Sequence, residues 1–375
     1  MIYLDNAATS RFKPKSAIDA LLFDVTHSAN SGRGGHDEAV DKSVRIQKCR
    51  DYLLSAVGAS DGYSLVFTKN CTEALNLALF GLIKGGEKVV TSTNEHNSVL
   101  RPLFLLESQK KISLQIVKAR HDGRIDPKDV EVYAQGADIM VFGGACNVTG
   151  AVCDMQSITE ICQKHGTILI VDGAQSVPLI PINMKESGIS MLACPGHKGL
   201  HGVQGTGFLI VKDDVPLKPL LYGGTGTSSN ELLPDLQMPE SYEAGTLFSG
   251  GICALHQGAK WTFDNLPRIR KNVDRMTKTI IYSLENAGAT VYGHNSQVGV
   301  VCFNLRDADS GFVADKLNEY GVCVRGGIHC APLVHKTLGT TLQGGVRASV
   351  GCDTTDGEIA YFVSCVERIM RELKA

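Results

Sequence analysis

The chain has 375 residues, 43% of them apolar, and a formal net charge of −2. That length can bury a large core with a smaller domain attached, and the charge supplies no broad basic field to hold nucleic acid. No apolar run approaches the ~20 residues of a membrane span, and the start Met1-Ile2-Tyr3-Leu4 has neither the basic residues nor the apolar stretch of a secretion signal.

From about residue 64 to 212, short β-rich runs alternate with helix-compatible stretches, the pattern of a mainly parallel sheet wrapped by helices. Strands are expected at 64–68, 88–92, 114–119, 138–143, 167–172 and 207–211, with helices at 72–83, 96–108 and 155–165. The Gly-, Ser-, Thr- and Pro-rich run 223–241 reads as an ordered loop or a crossing between domains. A long helical segment begins near Leu255, followed by a short strand at 298–305 and a terminal helix at 355–373. The class is therefore α/β with an α+β tail. Twelve cysteines lie without the paired CxxC spacing of a zinc or redox centre, so no metal is expected. Most of them read as small buried apolar residues in a reducing cytoplasm.

In open α/β sheets, ligands collect at the carboxyl ends of the strands. The run Thr167 to Asp172 ends a buried strand on a carboxylate. A turn-forming aspartate would read the same way, but a carboxylate there also suits a protonated pyridine nitrogen. Lys198 sits among glycines in Gly196-His197-Lys198-Gly199, where a cofactor could approach the backbone and the amine could be desolvated; a surface lysine is the plainer alternative. His96 opens a predicted helix, either as a helix-start polar group or as a ring that stacks and exchanges protons. Asn70-Cys71-Thr72 precedes another helix, whose free N–H groups favour a phosphate; simple N-capping gives the same pattern.

The ordered set Tyr3 to Thr9, Gly32 to His36, Thr72-Glu73, Glu95-His96, Asn147, Asp172 to Gln175, Gly196 to Lys198, Glu243 to Thr246, Arg325 to Cys330 and Arg347 resembles the class V aminotransferase family of fold-type I pyridoxal-phosphate (PLP) enzymes. Within it, the closest likeness is to the cysteine desulfurases and selenocysteine lyases. The resemblance implies a large domain around a mainly parallel seven-stranded sheet at 16–255, a smaller α+β domain from 1–15 and 256–375, and a homodimer. It implies that Lys198 carries PLP as a Schiff base, that Asp172 pairs with the pyridine nitrogen, and that His96 stacks on the ring. Gln175 would bond the phenolic oxygen, with Asn147 near the ring or substrate. Thr72, Cys71, His197 and neighbouring amides would hold the phosphate, with Thr246 reaching across from the other subunit. Arg347 and Arg325 would bind the substrate, and Cys330 would take sulfur from L-cysteine as a persulfide, leaving L-alanine. Arg325 and His329 are expected to favour the Cys330 thiolate.

A selenocysteine lyase, another C–S lyase or transaminase, and a non-catalytic scaffold are the competing readings. A sulfur-acceptor protein, with iron-sulfur cluster assembly as one destination, is the partner that the resemblance implies. Two departures stand out. Pro195 replaces a phosphate-binding Ser and offers neither hydroxyl nor N–H, and Ile328 replaces a His beside His329-Cys330.

Overall fold

A computed structural model describes residues 1–31, 34–225, 230, 232 and 236–373. The chain opens with β1 (Ile2–Tyr3), α1 (Lys15–Thr26) and α2 (Asp37–Ala56). It continues through β2 (Tyr63–Thr68), α3 (Cys71–Leu82), β3 (Glu87–Ser92), α4 (Asn97–Ser108) and β4 (Ile112–Val117). Next come α5 (Pro127–Ala134), β5 (Ile139–Gly143), α6 (Met155–His165), β6 (Ile168–Asp172), α7 (Met184–Ser187), β7 (Met191–Pro195) and β8 (Gly207–Lys212). The C-terminal part holds α8 (Ser249–Asp264), α9 (Leu266–Asn286), β9 (Thr290–Tyr292), β10 (Val300–Asn304), α10 (Ser310–Glu319), β11 (Val322–Cys323), β12 (Arg325–Gly327), α11 (Pro332–Leu338), β13 (Gly345–Ser349) and α12 (Asp356–Glu372).

Seven strands form one sheet in the order β2-β8-β7-β6-β5-β3-β4, with β8 alone antiparallel to its neighbours. Alternation along each strand builds a core on both faces. Leu65 and Phe67 of β2, Leu169 and Val171 of β6, and Leu192 and Cys194 of β7 pack on one side. Val66, Ile170, Met191 and Ala193 pack on the other. A third core joins α9, β10, α12 and β13, and takes Leu4 from the N-terminal segment. That segment reaches it because β1 pairs in parallel with β11 and Asp5 bridges to Ser349.

Most predicted elements appear with ends shifted by one or two residues. Four differences have physical causes. β7 was not anticipated, because a five-residue buried run carrying Cys and Pro has no period of its own. The long helix expected from Leu255 is two helices broken at Asn265, where Pro267 sits in the first turn of α9 and cannot continue α8. His96 lies outside its predicted helix as the N-cap of α4. Thr355 likewise caps α12, in a reciprocal box with Glu358.

Candidate active site

β2, β3, β5, β6 and β7 all point their carboxyl ends to one edge of the sheet, and the loops there line a cleft. Thr72 and Cys71 reach it from the start of α3, His96 from the turn after β3, and Asn147 from beyond β5. Asp172 and Gln175 reach it from the end of β6, and His197 and Lys198 from the end of β7. These eight side chains, singled out in the sequence, therefore share one cavity. Residues 32–33 of the Gly-rich motif, and 226–229, 231 and 233–235 of the expected loop, lie outside the described residues.

Asp172 is buried, and its Oδ1 accepts the Ala174 N–H at 2.9 Å and the Cys71 thiol at 3.5 Å. No described residue donates to its Oδ2. Burial pushes the Lys198 amine below the usual lysine range, an effect that Asp172 and Cys71 oppose, and no described side chain or carbonyl accepts from its Nζ. His96 accepts the Ser98 N–H on Nδ1 at 3.1 Å, so a neutral ring carries its proton on Nε2. The Ser98 hydroxyl lies 2.9 Å from that Nδ1 and 2.7 Å from the Thr72 hydroxyl. Burial lowers the His96 pKa, and Asp172 partly restores it.

At the start of α3, Asn70 takes the Glu73 N–H on its side chain and the Ala74 N–H on its carbonyl. The Cys71 and Thr72 amides keep no acceptor in the helix. Pro195 lines the cleft close by and adds no donor. His197 is held neutral, its pKa pushed down to about 4 by burial and by Lys198 and Lys13. Gln175 gives its amide to the Ala7 carbonyl at 3.0 Å. Thr246 is exposed and does not line the cleft of its own chain.

Beside the cleft, Arg347 is buried with NH1 on the Asn147 carbonyl at 3.1 Å and NH2 on Asp5 Oδ1 at 3.2 Å. Arg347 Nε and Asn147 Oδ1 are both buried without a partner. Asp5 also holds the half-exposed Arg325 through Oδ2 at 2.8 Å, so one carboxylate joins both arginines. Sequence reasoning gave Asp5 no role, although it stood in the quoted N-terminal motif. Glu95 was passed over in the same way. It is buried in the cleft wall, accepts the Gly143 N–H at 2.8 Å and the Ser92 hydroxyl, and has its pKa raised to about 8, chiefly by burial.

Cys330 sits in a tight turn at the mouth. The Ala331 N–H bonds the Ile328 carbonyl at 2.9 Å, and both central residues, His329 and Cys330, are left-handed, with φ of 52° and 56°. Both positive φ values match a type I′ turn, a conformation that costs L-residues about 1 kcal/mol or more each. Three bonds offset that strain. Asn147 Nδ2 donates to the His329 carbonyl at 2.7 Å, the Asn97 N–H to the Cys330 carbonyl at 2.7 Å, and His329 Nε2 to the Gly345 carbonyl at 2.8 Å. The His329 ring thus faces the core, and burial drives its pKa down to about 3. The expectation that His329 supports the Cys330 thiolate by charge is therefore corrected: the ring is neutral and turned inward. Arg325 remains as the cation that senses Cys330. The exposed Cys330 lines an outer groove that shares His96, Thr72 and Ser98 with the lysine cleft.

No group of three metal-binding side chains occurs among the described residues, and no described helix is long and apolar enough to cross a membrane. The chain resembles known proteins over its whole length. A probable cysteine desulfurase of Pyrococcus abyssi is 31% identical, with 100% of this chain and 96% of that protein covered. One from Methanothermobacter thermautotrophicus is 32% identical over 98% and 94%. The apo structure of a cysteine desulfurase from Thermococcus onnurineus superposes with a TM-score of 0.91 at 30% identity, covering 99% of this chain and 95% of that one. The model of the class-V aminotransferase family matches residues 2–362, and to that family the chain belongs.

Proposed function

We propose that this chain is a PLP-dependent cysteine desulfurase that converts L-cysteine to L-alanine and keeps the sulfur on Cys330 as a persulfide. One observation carries the reading. The most accessible cysteine of the chain stands on a strained, triply anchored turn, in a groove that opens beside the lysine cleft.

The residues fit the cofactor. Asp172 Oδ2 is free to accept a ring N–H, the Cys71 and Thr72 amides can take a phosphate at the start of α3, and the Lys198 amine has no competing acceptor. Asn147 Oδ1 and Arg347 Nε are two of the buried atoms left without a partner, on side chains placed to meet a substrate. When bound, PLP supplies an electron-withdrawing ring that stabilises the carbanion left when the substrate loses its Cα proton.

The chain's own residues do the rest. Arg347 binds the substrate carboxylate with its planar fork, and its hold on Asn147 and Asp5 fixes the approach. Lys198, kept easy to deprotonate by burial, takes the Cα proton on Nζ. Asp172 would accept the ring N–H on its free Oδ2, and His96 offers its Nε2 proton at the cleft wall. Cys330 attacks the substrate sulfur as its thiolate, the nucleophilic form of the group. The C–S electrons return to carbon, which is protonated to give alanine, and the new S–S bond holds the transferred atom.

Exposed apolar residues on α1 and α2, Ile18, Leu22, Val25 and Val40, offer a face for a second subunit, which would bring Thr246 to the neighbouring site. The test is Cys330→Ser. It should retain the visible absorbance of bound PLP and lose sulfide release from cysteine by at least about a hundredfold. Wild-type sulfide release in that variant rejects the reading.

A further inference from the structure

The carbonyl of His197, which begins the peptide leading into Lys198, receives an unusual concentration of donors. Thr9 Oγ1 lies at 3.3 Å, Ser10 N at 3.1 Å, Ser10 Oγ at 3.0 Å and Lys13 Nζ at 3.1 Å. A carbonyl oxygen has two lone pairs, so four donors converge on two acceptor positions. Lys13 also gives a proton to Ser10 Oγ at 2.7 Å, which leaves that hydroxyl free to donate onward. All four donors come from residues 9–13, a segment tied to the C-terminal core through β1–β11 pairing and the Asp5–Ser349 bridge. On the far side of the lysine, Gly199 packs so closely that an added Cβ would lie 2.5 Å from the Val177 carbonyl.

We propose that Lys13, acting with Thr9 and Ser10 through the His197 carbonyl, is a positioning residue for Lys198, so that the N-terminal segment sets the direction from which the lysine enters the cleft. A cation on a peptide carbonyl makes a charge-assisted bond, and here it fixes the plane of the peptide that carries Lys198. The side chain then keeps only its own torsions. The inference rests on the reading of Lys198 as the PLP lysine.

The test uses full-length protein reconstituted with PLP, as wild type, Lys13→Met, Lys13→Arg and Ser10→Ala. Two readouts are taken: the pH midpoint of the visible band of the lysine-bound cofactor, and kcat and KM for cysteine. Lys13→Met should bind PLP stoichiometrically, move the midpoint by about half a pH unit or more, and lose roughly tenfold in kcat at near-unchanged KM. Lys13→Arg should fall between Met and wild type. A loaded Lys13→Met with the wild-type midpoint and kcat overturns the proposal while leaving the PLP reading intact. If Lys13→Met does not fold, Ser10→Ala decides, with a shifted midpoint in support and an unshifted one against. A wild type with no visible band removes the PLP reading and this proposal together.

Discussion

At the scale of single residues, the site is organised by groups that hold other groups. Asp5 is the clearest case. It ties the buried Arg347 to the half-exposed Arg325, and its own carboxylate is mostly shielded, with 13% of the side chain exposed. Removing one partner of a buried pair leaves an uncompensated charge. In Asp5→Asn, the amide can accept from one arginine but presents a donor to the other. Loss of orientation outweighs the gain in net positive charge, because the guanidinium must meet a carboxylate edge-on. KM for cysteine should rise on the order of tenfold while kcat changes less, since one charge-assisted hydrogen bond is worth about 1.5–3 kcal/mol. Steady-state kinetics with sulfide detection check this, and an unchanged KM counts against it. Asp5 was not legible from sequence as a partner of Arg347, because 342 residues separate them. Asp172 and Lys198 were legible as candidate site residues, Asp172 because it ends a short apolar run and Lys198 because it sits among glycines rather than on a charged helix face.

At the scale of elements, the turn carrying Cys330 trades backbone strain for placement. Its two left-handed residues are not glycine, and bonds from Asn147, Asn97 and His329 hold them. His329→Gly removes the left-handed strain, worth about 1 kcal/mol, and also removes the bond to the Gly345 carbonyl, worth about the same. The unfolding midpoint should therefore stay within a few degrees of wild type. Sulfide release should fall on the order of tenfold, because a looser turn presents the thiol less often in line with its target. A thermal melt and a sulfide assay on the same preparation separate the two effects. The inward direction of His329 could not be read from sequence, since it depends on a carbonyl sixteen residues away in β13. The break between α8 and α9 was legible in principle, because Pro267 marks it.

Across the whole molecule, four histidines are held neutral, His197, His201 and His335 with pKa values near 4 and His329 near 3, each lowered mainly by burial. Their unfolded values lie near 6.5. Between about pH 4 and 6.5 the unfolded chain therefore binds more protons at these sites, and stability rises with pH. Glu95 acts in the opposite sense, because its pKa is raised to about 8 and the folded state holds its proton. Burial lowers His96 and His256 as well, so six histidines against one glutamate settle the sign in the acid range. Urea unfolding should give a clearly lower midpoint at pH 5 than at pH 7, and equal midpoints refute the assignment. The two-faced sheet and its edge of strand ends were visible in the alternation of runs. The N-terminal segment's place against the C-terminal core was not, because two-residue β1 carries no pattern of its own.

Of the twelve thiols, nine are buried, Cys323 and Cys352 are half-covered, and only Cys330 is open to solvent. On the proposed reading, sulfane sulfur loaded there would meet no second open thiol on its own chain to which it could hop. Its departure requires collision with an outside nucleophile, and an alkylating poison entering from bulk solution finds that same address first.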